Sequence, residues 1–334
     1  MDGSLSMAQE LANSILVTGS SGFIGLALTE ALLGRGVKVI GLDLNSPPPG
    51  ALRRFGELPG EFIHVPGSVE DQAAMAEAIS AHGAGSIVAL AAITADIGRE
   101  RRAARSVIDV NVGGAIATLE AARAAGVKQV VHVSSGSTYG AAGYEQELLV
   151  EEETPTRPES LYGISKLAAE QAALRLGDVF GLDVRVGRLG TCFGPWEYAT
   201  GARDTPSAVF QIVQNFRSKA PASLPRPHPK DWLYSRDAAE AIICLLEADA
   251  NAPRICNLAA GFIWSLEDLC RLLGEEDEGF AWDIAPEAAS TIDLYGPKDR
   301  APMDCTRIRG LGFEPKYDLR PAISDYLAWL ERAY

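Results

Sequence analysis

Tyr162 and Lys166 stand at the two ends of Tyr162-Gly163-Ile164-Ser165-Lys166, the i, i+4 spacing that puts two side chains on one face of a helix. A phenol is a weak base at neutral pH, its reference pKa being about 10. An ammonium beside it favours the phenolate. Such a pair can move a proton to or from a hydroxyl while a hydride moves to or from a nicotinamide. Alone, the same spacing also describes an ordinary helix surface. It is preceded by Val133-Ser134-Ser135-Gly136-Ser137-Thr138-Tyr139-Gly140, which puts hydroxyls at the end of an apolar run, where the carboxyl edge of a parallel sheet meets its ligand.

A second group of residues lies near the start of the chain. The run Ile15–Gly19 leads straight into Gly19-Ser20-Ser21-Gly22-Phe23-Ile24-Gly25, which opens an apolar helical stretch. Glycines at this spacing allow a tight turn, close backbone approach to a pyrophosphate, and close packing of helix on strand. The phosphates then sit at the positive end of the helix. Asp43 ends the next apolar run, eighteen residues after Gly25. A carboxylate there accepts from ribose hydroxyls and repels a 2′-phosphate, so the pattern favours NAD over NADP. Arg53 and Arg54 read as a solvated helix face.

The elements that must carry these groups follow from periodicity. Apolar runs at Ile15–Gly19, Val37–Leu42, Glu61–Val65, Ser86–Leu90, Gln129–Ser134 and Val184–Arg188 alternate with helical patterns near 23–34, 70–82, 99–125 and 162–180. This is the signature of an α/β fold with a doubly wound parallel sheet. The cofactor-binding domain is assigned to 15–190, with the chain returning to it near 231–258, and 191–334 is assigned mainly to a smaller C-terminal substrate lobe. Residues 191–230 are rich in Pro, Gly and small polar residues, and segments such as PASLPRPHPK cannot be helix interior. Later patterns predict helix 236–248, strand 254–258, helix 265–274 and helix 318–332. Residues 1–14 lack the basic and apolar regions of a signal peptide and read as a frayed leader.

With these motifs in place, the chain resembles the extended short-chain dehydrogenase/reductase family, the NAD-dependent nucleotide-sugar epimerases, dehydratases and sugar dehydrogenases. The resemblance spans nearly the whole sequence. It rests on Gly19, Gly22 and Gly25, Asp43, Leu90-Ala91-Ala92, Asn111, the SSxxxYG around Ser135, the YxxxK, Arg188 before Gly194-Pro195, the segment Lys230 to Ala239, and Leu311-Gly312-Phe313-Glu314-Pro315. It implies a Rossmann-type fold, NAD as cofactor and a homodimer built on the helices near 99–125 and 162–180. It further implies Tyr162 as general acid/base, Lys166 as its tuning partner and ribose ligand, and Ser135 as hydrogen-bond partner of the reacting oxygen. Gly19, Ser21, Gly22, Phe23, Ile24, Gly25, Asp43, Ser68, Val69, Leu90, Ala91, Ala92 and Asn111 would surround the cofactor. Ser137, Thr191, Trp196, Lys230 and Arg300 are the substrate-side candidates.

The chain departs from the family pattern at three places. Ser68 stands where an Asp often meets the adenine, Thr191 where epimerases place an Asn, and Lys230 where an Arg approaches the nucleotide. These changes favour oxidation of a secondary alcohol in a sugar, sugar acid or polyol by NAD. A nucleotide-sugar 4-epimerase with transient oxidation is the alternative. Dehydration ranks third, because Gly136-Ser137 replaces the acidic pair that dehydratases carry. A non-catalytic NAD sensor is a different class, disfavoured because Tyr162 and Lys166 are both kept.

The 334 residues carry 30 basic and 44 acidic side chains, a formal charge of −14, which excludes nucleic-acid and anionic-membrane surfaces as partners. Five cysteines without a CxxC pair indicate reduced thiols, a cytoplasmic protein and no metal site. Locally the balance reverses. Residues 217–236 hold a net +4 and residues 298–309 a net +2, an arrangement that suits a small carboxylate or phosphate on the substrate.

Overall fold

A computed structural model describes residues 11–198, 203–294, 296 and 298–332. In chain order the elements are β1 (Ser14–Thr18), α1 (Phe23–Gly34), β2 (Lys38–Asp43), α2 (Pro49–Gly56), β3 (Phe62–Pro66), α3 (Gln72–His82), β4 (Ser86–Ala89), α4 (Ile97–Ile108), α5 (Gly114–Ala125), β5 (Gln129–Ser135), α6 (Leu161–Phe180), β6 (Asp183–Leu189) and β7 (Thr191–Phe193). There follow α7 (Ala208–Arg217), β8 (Ala222–Leu224), β9 (Lys230–Tyr234), α8 (Ser235–Glu247), β10 (Ile255–Leu258), β11 (Ile263–Trp264), α9 (Leu266–Glu276), β12 (Trp282–Ile284), α10 (Thr306–Gly310) and α11 (Leu319–Glu331).

Among the described residues, seven strands form one parallel sheet in the order β10-β6-β5-β4-β1-β2-β3. Its central strands are apolar on both faces because helices cover both sides: Ile15, Leu16 and Val17 are each fully buried. The order reverses between β1 and β4, which opens a crevice at the carboxyl ends of the strands. A second apolar core, with Phe193, Trp232, Tyr234 and Trp264 at its centre, holds together β7, β9, β11, α7, α9 and α11. No described helix is long and apolar enough to cross a membrane.

At three places the structure adds to or departs from the sequence periodicity. The span 99–125 is not one helix: α4 and α5 are joined by a π-turn over Asp109–Gly113, and the wider turn directs Asn111 into the interior, where it is 2 % exposed. The stretch 191–230 contains α7, whose residues 208–217 have neither Pro nor Gly; Pro206 precedes its Ser207 cap and Pro221 follows its end. Prolines bound this helix without entering it. Finally, Leu11 and Ala12 pack on the main core and Ser14 begins β1, so the framework starts inside the 1–14 stretch read as a leader. Residues 1–10 of that stretch lie outside the described residues.

Helix α6 is fixed at every level. Ser160 caps its N-terminus by accepting from the N–H of Gly163 (3.1 Å), and Gly181 ends it in the left-handed region at φ 66°. A β-carbon at Gly177 would come within 2.7 Å of Val184 Cγ2, so only glycine lets the helix lie this close to β6. Between them Glu170 and Arg188 form a buried ion pair (2.6 Å), and Glu170 also accepts from Ser134 Oγ (2.8 Å). Removing the carboxylate leaves a guanidinium buried without its counter-charge. Glu170→Leu is expected to lower the unfolding free energy by about 3–5 kcal/mol in urea denaturation; a loss below about 1 kcal/mol would contradict the account of how α6 is anchored.

Candidate functional site

The crevice is a cavity of about 780 Å³ between the strand ends and the C-terminal lobe. The loop after β1 forms one wall. Gly19 adopts φ 71°, and a β-carbon on it would stand 2.8 Å from Ala91 Cα. At Gly25 an added β-carbon would lie 2.0 Å from the Gly19 carbonyl oxygen, so this glycine brings helix and turn together without itself lining the cavity. No side chain caps α1 at Gly22, and Phe23 and Ile24, its first two residues, line the cavity. Their N–H groups are among those a helix start leaves without intrahelical partners, a ready anion cradle.

Asp43 closes this wall. Its carboxylate accepts from the Ser21 N–H (3.1 Å) and the Asn45 N–H (3.0 Å), tying the loop to the end of β2. Each oxygen keeps a further lone pair toward the cavity. Arg54 is committed to Glu30 (2.8 Å). Ser68 and Val69 line the cavity beside Asp43, and Leu90, Ala91 and Ala92 do so after β4. The N–H groups of Leu90 and Ala91 both reach Thr18 Oγ1, at 3.1 and 3.2 Å, which holds that segment against β1. The cradle of glycines, the helix start and the cavity-lining carboxylate together fit a dinucleotide.

Opposite stand Ser135, Tyr162 and Lys166, all lining the same cavity. Lys166 is buried and its Nζ donates to the Val133 carbonyl at 2.6 Å. Burial pushes its pKa down to about 8, while Glu170, one turn on, works in the other direction. Ser135 Oγ accepts from the Ser137 N–H (3.1 Å) and from the Ser137 hydroxyl (2.9 Å). Those two bonds use Ser135 as an acceptor and leave its own proton to be donated elsewhere. Helix α6 meets this turn closely, since a β-carbon at Gly163 would lie 2.8 Å from the Ser137 carbonyl oxygen.

Asn111 is near the site without touching the cavity. Its Oδ1 accepts from the Ile93 N–H (2.7 Å), and its Nδ2 donates to the Ile93 carbonyl (3.0 Å) and to Ser165 Oγ (2.9 Å). The side chain therefore braces the Leu90–Ile93 segment against α6. His132 is buried, and desolvation lowers its pKa well below the ordinary value.

On the substrate side Ser137, Thr191 and Arg300 line the cavity, whereas Trp196 and Lys230 do not. Trp196 takes φ 70° after the Gly194-Pro195 turn, donates its Nε1–H to Glu30 (2.8 Å) and meets Trp329 edge-on, so it belongs to the core. Lys230 points its ammonium over the Trp232 ring at 5.5 Å, and burial, with the Arg300 cation nearby, pushes its pKa down to about 8. Sequence reasoning missed Tyr144, Glu159, Arg203, His228 and Trp232 as lining residues. They come from four separate segments, and only tertiary folding brings them together. Tyr198 donates its hydroxyl to the Ser21 carbonyl at 2.6 Å, linking the C-terminal lobe to the glycine loop.

The model of the NAD dependent epimerase/dehydratase family matches residues 15–259. A dTDP-glucose 4,6-dehydratase of Streptomyces griseus is 30% identical over 335 residues, covering 96% of this chain and 95% of its own. A UDP-glucose 4-epimerase of Corynebacterium glutamicum is 26% identical, with 94% of each chain covered. Among solved structures, the dTDP-glucose 4,6-dehydratase DesIV from Streptomyces venezuelae, crystallised with NAD, shares the fold at a TM-score of 0.78 and 24% identity, covering 96% of this chain and 97% of its own.

The bracing role of Asn111 has a measurable consequence. Asn111→Leu strands the N–H and C=O of Ile93, at a cost of about 1–3 kcal/mol in stability. It also loosens the wall formed by Leu90–Ala92. Calorimetric titration with NAD is expected to show about tenfold weaker binding; unchanged affinity would remove Asn111 from any part in shaping the cofactor wall.

Proposed function

Since the chain belongs to the NAD dependent epimerase/dehydratase family, we propose that it is an NAD-dependent oxidoreductase acting on a secondary alcohol of a sugar, sugar acid or polyol derivative. The observation that carries this reading is the convergence of Ser135, Tyr162 and Lys166 on the cavity that the glycine loop and Asp43 also line. Gly19 to Ile24 and Asp43 would hold NAD, with Ser68, Val69 and Leu90–Ala92 beside it. When bound, NAD supplies the hydride acceptor.

The chain's own residues handle the proton. Tyr162 takes it from the substrate hydroxyl as the carbonyl forms, and the Lys166 ammonium stabilises the phenolate that makes this possible. Ser135 donates a hydrogen bond to the reacting oxygen, holding it toward Tyr162. Ser137 supports Ser135 by donating to it. The residues after Ser135 are Gly136 and Ser137, and neither offers the carboxylic acid that water elimination would use.

Epimerisation is the second reading, favoured by the similarity to a UDP-glucose 4-epimerase. It shares the oxidation step and differs in returning the hydride to the opposite face of the ring. The homodimer belongs to the same proposal, supported by exposed Ile164 and Val179 on α6 and Ile97 and Ile108 on α4.

Incubation with NAD and a panel of sugars, sugar acids and polyols is expected to give NADH absorbance. A nucleotide sugar isomerised without NADH release would establish epimerisation instead. Tyr162→Phe removes the acid/base and is expected to lower kcat/KM by about 10²–10⁴-fold; full turnover in this variant contradicts the mechanism. The pH profile follows from Lys166. Its folded pKa lies below the ordinary lysine value, so the ammonium is present below about 8 and lost above it. kcat/KM for oxidation should therefore fall on the alkaline side with a midpoint near 8, and a plateau running well beyond that point would be inconsistent with the role of the ammonium.

A further inference from the structure

We propose that Arg300 is an anion subsite taking a carboxylate carried by the reacting sugar itself, so that the substrate is an acidic sugar. This rests on the reading above, in which the cavity receives a sugar alcohol for oxidation.

Arg300 lines the cavity with its side chain 15% exposed. Among the described residues its Nε and Nη2 are buried without a hydrogen-bond partner. Its ion-pair partner is Asp231, whose Oδ1 stands 3.7 Å from Nη2, beyond hydrogen-bond length. That oxygen likewise has no donor, while Oδ2 of Asp231 accepts from the Met303 N–H at 2.8 Å. Asp231 thus holds the guanidinium by charge without engaging its N–H groups. Leaving such donors unused is costly in a folded protein. A planar fork with donors to spare is the group that matches a carboxylate in a bidentate pair.

Position selects the ligand. A β-carbon built on Gly136 would lie 2.3 Å from Arg300 Nη1, and one on Gly143 would lie 2.6 Å from its Cγ. The guanidinium therefore occupies the space that side chains at these two positions would fill, one residue from Ser135. An anion held there would lie beside the turn that carries Ser135, which favours a charge on the reacting sugar over a more distant diphosphate.

The other charged groups nearby are largely engaged with one another. Arg226 pairs with Asp299 at 2.8 Å, and His228, also on Asp299, is held neutral near pH 7 because burial brings its pKa down to about 4. Around Lys230, the cations Arg226 and Arg300 meet the carboxylates of Asp231 and Asp299, three cations against two carboxylates. Glu159 and Asp293 also line the cavity, and among the described residues neither forms an ion pair with Arg300.

The test is calorimetric binding to the NAD-saturated full chain, using D-glucuronate against D-glucose, UDP-glucuronate against UDP-glucose, and UDP alone. The acid is expected to bind at least about tenfold tighter than its neutral counterpart. In Arg300→Gln the preference should shrink to near parity, and Arg300→Lys should restore part of it. Equal affinity for acid and neutral sugar in the unaltered protein, or no binding of glucuronate in either form, overturns the proposal without any variant. So does a preference that survives Arg300→Gln. Loss of UDP affinity in Arg300→Gln as large as the loss for glucuronate would assign the guanidinium to a diphosphate and overturn it as well. Binding is read without turnover, so an inactive protein that prefers the acid refutes the proposed reaction and leaves the subsite standing.

Discussion

The ammonium of Lys166 is buried and held on the carbonyl of Val133, and the site is arranged around that bond. A lysine taken out of water needs a partner, and here the partner is a backbone carbonyl of the strand that delivers Ser135. The bond therefore fixes α6 against β5. Once that register is set, Tyr162 and Ser135 face one cavity. Glu170 reinforces the arrangement from the next turn by pairing with Arg188 and accepting from Ser134, so α6, β5 and β6 share one buried polar network. Asn111 extends it to the Leu90–Ile93 segment through Ser165, whose hydroxyl also donates to the Tyr162 carbonyl at 2.8 Å.

The two halves of the cavity were unequally legible in the sequence. The glycine loop, Asp43 and the Tyr162–Lys166 spacing are local patterns, each defined within one strand-turn-helix unit or one helical turn. Their geometry follows from chain connectivity and so survives from sequence to structure. Trp196 was read as a substrate group from its place after Gly194-Pro195 and Lys230 from the family resemblance, and long-range packing decided otherwise: Glu30 and Trp329 draw Trp196 into the core, and the Trp232 ring holds Lys230 away from the cavity. The π-turn at Asp109–Gly113 has no compositional mark, because it exists to satisfy the Asn111 side chain against a loop from another part of the chain. Helix α7 escaped notice because the prolines on either side of it dominated the window.

The same division separates what the family shares from what this chain specifies. The cofactor side is built from backbone: glycines, a helix start and N–H groups tied to Thr18 and Asp43. Such a surface tolerates wide sequence change while keeping its shape. The substrate side is built from individual side chains on separate loops, Thr191, His228, Trp232 and Arg300 among them. Substituting one of these changes what the cavity can recognise without disturbing the proposed proton-transfer pair. In the proposed reading, Thr191 and Arg300 select the substrate, and the lack of a carboxylic acid at Gly136-Ser137 favours oxidation over water elimination.

Everything proposed for the reaction depends on Lys166 being a desolvated ammonium whose proton is held less tightly than that of an exposed lysine. The direct measurement is an NMR titration of the Lys166 Nζ resonance in the folded protein, assigned by comparison with Lys166→Met. The account predicts a midpoint near 8, well below the ordinary value of 10.5. A midpoint at the ordinary value would contradict it, because the ammonium would then be solvated and its bond to Val133 would not be what organises the site.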